Sequence, residues 1–356
     1  MAHAAQFHRG DAVIRGWCPT ALRPMMSGDG LLVRLRPPGG RLTAAQGAAV
    51  ADVARRFGNG RMDLSSRAGL QIRGVTEDTH PPLIEALRDA GLVVDASPVL
   101  AAPFAPDPME ATLTTALADL SLPPKFGVVL DRGAVRVMAD TPADIRLEGD
   151  LVRADGQPLG RRGGAETVRA LAEWFLTTGA KRMRDVTPPP HLAGDIAPPP
   201  ATVPALGAHP HGTLVGLPFG ELTPDTLVAL GEVVLTPWRA LFLPCRTAPD
   251  RPDLILSDAD PLRRVVACPG APACAQGHAP TRPLARALAA RVQGTLHISG
   301  CAKGCARPRD PATTLVALPD GFGLIPFGRA SDPPQRRGLP PDACITLLGG
   351  TNAAQL

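Results

Sequence analysis

The sequence predicts an α+β protein of doubled architecture, and three observations carry that reading. A strand–helix–strand–helix rhythm fills the first hundred residues. The same rhythm returns, shortened, after a proline-rich stretch. Four cysteines, Cys268, Cys274, Cys301 and Cys305, gather in the last third of the chain.

Taken in order, GDGLLVRLRPPGG (28–40) has the Leu/Val content and Gly/Pro flanks of a strand. Thr43 is placed to cap a helix over AAQGAAVADVARRF, which Gly58-Asn59-Gly60 ends. LQIRGV (70–75) alternates as a second strand. HPPLIEALRDAG (80–91) is a second helix, with prolines in its first turn and Gly91 beyond its end. A helix is then expected at MEATLTTALADL, followed by three strand-like runs, PPKFGVVLD, AVRVMAD and DIRLEGD. A helix at AETVRALAEWFLTTG closes that module. Eight of residues 187–210 are proline, which excludes a helix or a central strand and predicts a semi-rigid crossover.

Beyond the crossover, TLVGL stands where LLVRL stood, ELTPDTL where RLTAAQG stood, and LTPWRALFL where LSSRAGLQI stood. This is an internal repeat. The expected organisation is a first repeat at 16–100, an α+β module at 101–186, the linker at 187–210, a second repeat at 211–258, and a second α+β module at 259–350 that carries the four cysteines.

Composition narrows the function. The chain has 356 residues, 44% of them hydrophobic, and no stretch of 18 apolar residues that would predict a membrane span. The N-terminus lacks the apolar core of a signal peptide, so the expectation is a cytoplasmic protein. There, clustered cysteines point to metal binding or catalysis rather than disulfides. A net charge of +4 without Lys/Arg runs, and few aromatics, argue against nucleic acid. Lysine occurs only at Lys125, Lys181 and Lys303, so positive charge is nearly all guanidinium, which suits bidentate carboxylate recognition.

Cys268 and Cys274 have five residues between them, Cys301 and Cys305 three. Structural zinc prefers two to four. A four-iron cluster takes four thiolates at varied spacing. The small residues Gly270, Gly300 and Gly304 leave backbone N–H groups near the sulfurs. Spacing favours the cluster and leaves zinc, or no metal, open. Cys18, Cys245 and Cys344 read as small buried hydrophobes.

The C-x5-C and GC-x3-C pair, preceded by LLVRLRPPGGRLT…MDLSSRAGLQIRGV and its repeat, resembles the sulfite and nitrite reductase superfamily. The resemblance covers roughly residues 16–350. Within that superfamily, RGWCPTALRPMMSGDGLLVRLRP, SRAGLQIRG, ACPGAPACA and SGCAKGCARP are most similar to the oxygen-dependent branch that acts on a precorrin in aerobic cobalamin synthesis. The resemblance implies a pseudo-twofold fold of two ferredoxin-like repeats and two α+β modules, with a tetrapyrrole between the halves. It implies a 4Fe-4S cluster on Cys268, Cys274, Cys301 and Cys305. In the reductases the last of these also bridges to sirohaem iron, whereas here the tetrapyrrole would be a metal-free substrate.

Departures from the reductase pattern sharpen the expectation. Of a cage of two Arg and two Lys that holds the small anion, Arg34 and Lys125 match, while Gly127 and a position near Ser97 have lost their charge. A thinned cage is poor at stabilising an anion under reduction. A polycarboxylate macrocycle needs dispersed guanidinium groups instead. Arg34, Arg67, Gln71, Arg73, Lys125, Arg239 and Lys303 are the expected tetrapyrrole contacts, with Arg36 on a repeat strand and Arg23, Arg307 and Arg309 flanking the motifs. His278 and His297 read as structural rather than as iron ligands or proton donors.

The resemblance implies a monooxygenase that hydroxylates precorrin-3A and closes a γ-lactone, using O2. Electrons are expected from NAD(P)H through a separate reductase protein, since no G-x-G-x-x-G follows a strand in a βαβ context. An additional non-haem iron is left open. The alternatives are a sirohaem-dependent sulfite or nitrite reductase and a non-catalytic tetrapyrrole or cluster carrier.

Overall fold

Local chemistry sets the first repeat. In this computed structural model, which describes residues 18–93, 97–307 and 311–349, β1 (Met25–Ser27) and β2 (Gly30–Leu35) form a hairpin, and β3 (Arg41–Leu42) follows. Thr43 opens α1 (Ala44–Arg56) with a reciprocal cap: its hydroxyl accepts from Gln46 N at 3.2 Å, and Gln46 Oε1 accepts from Thr43 N at 3.1 Å. After β4 (Met62–Leu64) and β5 (Leu70–Val75) comes α2 (His80–Asp89), which ends where Gly91 takes a φ of 68°. Val33 and Leu35 are buried while Arg34 and Arg36 alternate onto the other face of β2.

The next module runs β6 (Val99–Ala101), α3 (Met109–Leu117), β7 (Val128–Asp131), β8 (Ile145–Glu148), β9 (Leu151–Ala154), β10 (Arg161–Arg162) and α4 (Ala165–Thr177). Its core holds Leu113, Leu117, Val128, Leu130, Ile145, Leu147, Val168, Leu171 and Phe175. AVRVMAD is not the strand expected there. Asp131 Oδ2 takes the backbone N–H groups of Val137 and Met138 at 2.7 and 2.8 Å, which folds the segment into turns. Only Arg136 keeps a strand-like bridge, to Ala201 in the proline-rich stretch.

The second repeat begins inside the expected linker, with β11 (Gly207–His209), and continues through β12 (Gly212–Gly216), β13 (Glu221–Leu222), α5 (Pro224–Leu230), β14 (Val233–Leu235) and β15 (Ala240–Pro244). The last module has β16 (Val265–Ala267), α6 (Arg282–Ala289), β17 (Leu296–Ser299), β18 (Ala312–Leu318), β19 (Gly321–Gly328), β20 (Arg336–Leu339) and α7 (Pro341–Leu348).

Sheet topology states the doubling directly. One repeat sheet is ordered β1-β2-β5-β4-β13 and the other β11-β12-β15-β14-β3, so the repeats exchange their short strands β3 and β13. Both module sheets run three parallel strands and then two antiparallel ones: β6-β7-β8-β9-β10 and β16-β17-β18-β19-β20. Among the described residues the chain divides into two compact units, one of 26–31 with 258–349 and the other of 18–25 with 32–257.

Candidate tetrapyrrole and cluster sites

The polar face of the first repeat gathers guanidinium groups. Arg34, on β2, meets Gln71, on β5: with the amide oxygen turned toward it, Gln71 accepts from Arg34 Nε at 3.2 Å and from Nη2. Arg67 occupies the β4–β5 turn and donates from Nη1 to the Lys125 carbonyl at 2.9 Å. Arg182 donates to that same carbonyl at 3.0 Å and to Ala143 O at 3.2 Å. It also pairs with the buried Asp144 at 3.0 Å. Arg36 Nη1 lies 3.4 Å from the Ser97 carbonyl. Cys18 hydrogen-bonds the Arg34 guanidinium and acts electrostatically on Arg36 and Arg67 as well.

Burial and mutual repulsion strain this cluster. Desolvation, then Arg34 and Arg67, bring Arg36 down to about 10. Desolvation, then Arg182, lower Arg67. Burial raises Asp144, against the pull of the Met183 and Gly127 N–H groups and of Arg182. The Nε atoms of Arg36 and Arg182 are buried with no hydrogen-bond partner among the described residues.

The other expected contacts are placed as follows. Arg73 is buried and pairs with Asp63 at 3.2 Å. Lys125 supplies its carbonyl to the cluster. Arg239 sits at φ 55°, the counterpart of Ala68 at φ 50° in the first repeat. Arg23 donates its backbone N–H to Thr20 Oγ1, and Arg307 its own to Gly304 O. Arg309 lies outside the described residues. Sequence reasoning passed over Arg182 and read Cys18 as filler. The adjacency of RGWCP to the matched strand motif was the one signal for Cys18, and Arg182 carried none.

The second repeat has no such cluster. The pairing of Leu64 with Leu70 and of Leu235 with Leu241 sets Trp238 at the Arg67 position and Phe242 at the Gln71 position. Gly216 stands for Arg34. Phe104 fills this face, stacked on His209 at 4.7 Å and on Trp238 at 5.9 Å, with its edge on Phe242 at 5.2 Å.

The cysteines form their own site. Cys268 follows β16 and is buried, and its Sγ accepts from Gly300 N at 3.1 Å. Gly270, Gly277 and Gly300 crowd around it: a Cβ on Gly300 would lie 2.9 Å from Gly270 Cα and 3.4 Å from Cys268 Sγ. Cys274 closes a turn, its N–H on Gly270 O at 2.7 Å and its carbonyl accepting from Gly277 N at 2.9 Å. Ser27 Oγ donates to Ala273 O at 2.8 Å, so the β1–β2 hairpin tip braces this loop. Burial raises the Cys301 thiol, with the Lys303 N–H opposing and Cys274 and Cys268 adding. Burial pushes Cys305 up to about 11, with Lys303 opposing and Cys268, Cys301 and Cys274 adding. His278 N donates to Gly300 O at 2.8 Å, and His297 is buried on β17. Cys245 is exposed, contrary to the buried reading, and Cys344 is buried in α7.

The four thiols therefore act on one another. Yet among the described residues no three His, Cys, Asp or Glu side chains are gathered as a single ion would hold them. Four thiols at this spacing suit a cluster, in which each thiolate binds its own iron.

Fold and site together define a class: residues 23–90 match the nitrite/sulfite reductase ferredoxin-like half domain. The structure of the Mycobacterium tuberculosis NirA protein superposes with a TM-score of 0.59 at 17% identity, over 88% of this chain and 78% of that one, a likeness of fold. Short stretches also match a ferredoxin–nitrite reductase of Leptolyngbya laminosa, 35% identical over 21% of this chain and 15% of that protein. Another matches the haemoprotein β-component of an NADPH sulfite reductase of Acidithiobacillus ferrooxidans, 39% identical over 16% of this chain and 10% of that protein. A precorrin-3B synthase of Sinorhizobium is 32% identical over 90% of this chain and 84% of its own length. The chain belongs to the precorrin-3B synthase family.

Proposed function

We propose that this protein is an oxygen-dependent oxidoreductase that converts precorrin-3A to precorrin-3B, by hydroxylation and γ-lactone closure, in cobalamin synthesis. The observation that carries the reading is the guanidinium cluster on the first repeat, in a chain that matches a precorrin-3B synthase over nearly its whole length. A macrocycle fringed with carboxylates is the complement of such a surface. Arg34 and Gln71 supply donors from neighbouring strands, and Arg67 and Arg182 are aimed by their shared carbonyl partner.

Cys268, Cys274, Cys301 and Cys305 are the ligands of a 4Fe-4S cluster, with Gly300 N and Lys303 N placed to hydrogen-bond its thiolates. When bound, the cluster supplies single electrons, which the reaction of a closed-shell substrate with O2 needs. One oxygen atom enters the macrocycle and the other leaves as water, so two electrons are drawn from NAD(P)H, through a separate reductase protein. No helix among the described residues is long and apolar enough to cross a membrane.

The test is anaerobic reconstitution with iron and sulfide, then turnover of precorrin-3A with a reductant and 18O-labelled O2. Incorporation of one labelled atom per product is the expected result. Absence of oxygenated product would leave a carrier, and a stoichiometric sirohaem Soret band in the purified protein would make it a reductase.

A further inference from the structure

The two charges that the reductase pattern loses at Gly127 and near Ser97 are restored from elsewhere in the chain. Arg36 extends from the end of β2 to the carbonyl of Ser97, at 3.4 Å. Arg182 arrives at the other vacated position. Its guanidinium bonds Lys125 O at 3.0 Å, and its carboxylate partner Asp144 also accepts from Gly127 N at 3.1 Å. The second repeat lacks both. Its strand carries Gly216 at the Arg34 position, and Pro218 follows Leu217 where Arg36 and Pro37 follow Leu35, so Arg36 belongs to a two-residue difference between the repeats.

Neighbour by neighbour, the groups run Arg36, Arg34, Arg67, Arg182. Cys18 lies beside the first three and Asp144 beside the last two. Among the described residues, the one carboxylate acting on this set is Asp144, beside Arg67, and it is already engaged by Arg182 and two backbone N–H groups. A half-buried set of like charges with one committed counter-ion is stable only beside an anion or in open water. The buried Nε–H groups of Arg36 and Arg182 have no acceptor among the described residues, so both guanidinium groups retain donors for one.

The structure assigns Arg36 and Arg182 as a rebuilt anion clamp that, with Arg34 and Arg67, binds carboxylate groups of the substrate macrocycle in place of a small inorganic anion. The assignment rests on the proposed function for the identity of the substrate. Its physical basis is that both vacated positions are now served by planar guanidinium forks, with Arg182 standing where the reductase pattern has a point-charge lysine. Such forks match a carboxylate with two parallel hydrogen bonds and do not converge on one small pyramidal ion. The two residues determine specificity within the proposed reaction and are not placed in the chemistry.

The experiment measures anaerobic binding of precorrin-3A to the full-length protein by absorbance titration, with sulfite and phosphate as competitors. Arg36→Gln and Arg182→Gln are each expected to weaken binding by about tenfold or more, the equivalent of about 1.4 kcal/mol. Both should flatten the dependence of binding on ionic strength, while millimolar sulfite and phosphate leave wild-type binding unchanged. Arg36→Lys, which keeps the charge but not the fork, is expected to fall between wild type and Arg36→Gln. Because Arg182→Gln leaves Asp144 buried and unpaired, the Arg182→Gln/Asp144→Asn double variant is titrated beside it. Wild-type affinity in folded Arg36→Gln and in the double variant would overturn the clamp. So would displacement of precorrin-3A by sulfite or phosphate, which would mark a small-anion cage. Neither result touches the 18O experiment on the wild type, so a failed clamp and a failed synthase reading are told apart.

Discussion

Gly69 has no side chain, and that absence lets Arg34 lie across the β4–β5 turn. A Cβ there would stand 2.9 Å from Arg34 Cδ and 3.2 Å from Ser65 Oγ. The second repeat shows the reciprocal choice on one cross-strand pair: Ala240, at the Gly69 position, faces Gly216, at the Arg34 position. Gly69→Ala should therefore fold with little loss of stability but swing the Arg34 guanidinium away from Gln71. The expected outcome is about tenfold weaker precorrin-3A binding at an unchanged thermal midpoint. An unchanged Kd would show that Arg34 keeps its place without that room. Arg73 teaches the opposite lesson. It sits in the same strand as Gln71 and was an equal candidate, yet its charge is buried and paired with Asp63. Strand parity gives a side chain its face, but the neighbours on that face decide whether it is spent on structure.

At the scale of elements, the β1–β2 hairpin does more than start a sheet. Its tip packs against the loop that carries Cys274, with Ser27 bonded to Ala273. A Cβ on Gly28 would fall 2.2 Å from Pro272 O and 2.7 Å from Ala275 N, both backbone atoms that cannot swing aside. Gly28→Ala is expected to displace the loop and, after reconstitution, to hold well under half the iron and sulfide of wild type, with the visible charge-transfer absorbance reduced in step. Full iron content in the variant would show that the loop closes around the cysteines without the hairpin. Much at this scale was legible in the sequence. The cap at Thr43, the prolines opening α2, Gly91 at its end and the 3.6-residue period of α4 all act within a few residues of themselves. AVRVMAD was misread because its apolar alternation is local, while the carboxylate that folds it into turns is Asp131, at the end of the preceding strand.

For the molecule as a whole, the two units offer separate spectroscopic handles. Among the described residues, both tryptophans, Trp174 and Trp238, lie in the unit that holds 32–257, whereas all four cluster cysteines lie in the other. A cofactor that binds only the folded state stabilises the unit that holds it. Removal of iron by a chelator is therefore expected to lower the early part of the thermal transition seen by far-ultraviolet circular dichroism. The tryptophan fluorescence transition should move by less. Equal shifts by both probes would mean that the two units unfold as one cooperative body. The doubling of the fold belongs to this scale too. Similar sequences build two similar sheets, but the exchange of β3 and β13 between the sheets is a pairing between distant segments that no local pattern encodes.

By itself the sequence determined the elements, the internal repeat and the set of four cysteines, because propensity, capping, periodicity and spacing are properties of neighbours along the chain. Only the tertiary structure decided which charges would meet. Arg36 and Arg67 sit in recognisable motifs, but Arg182 lies far from them in sequence and carries no signal, and Cys18 alone reads as filler. What joins them is long-range strand pairing and two guanidinium groups anchored on one backbone carbonyl. Such convergence is set by packing rather than pattern: the sequence shows charge missing at Gly127 and near Ser97, and only the fold brings Arg182 and Arg36 beside those positions.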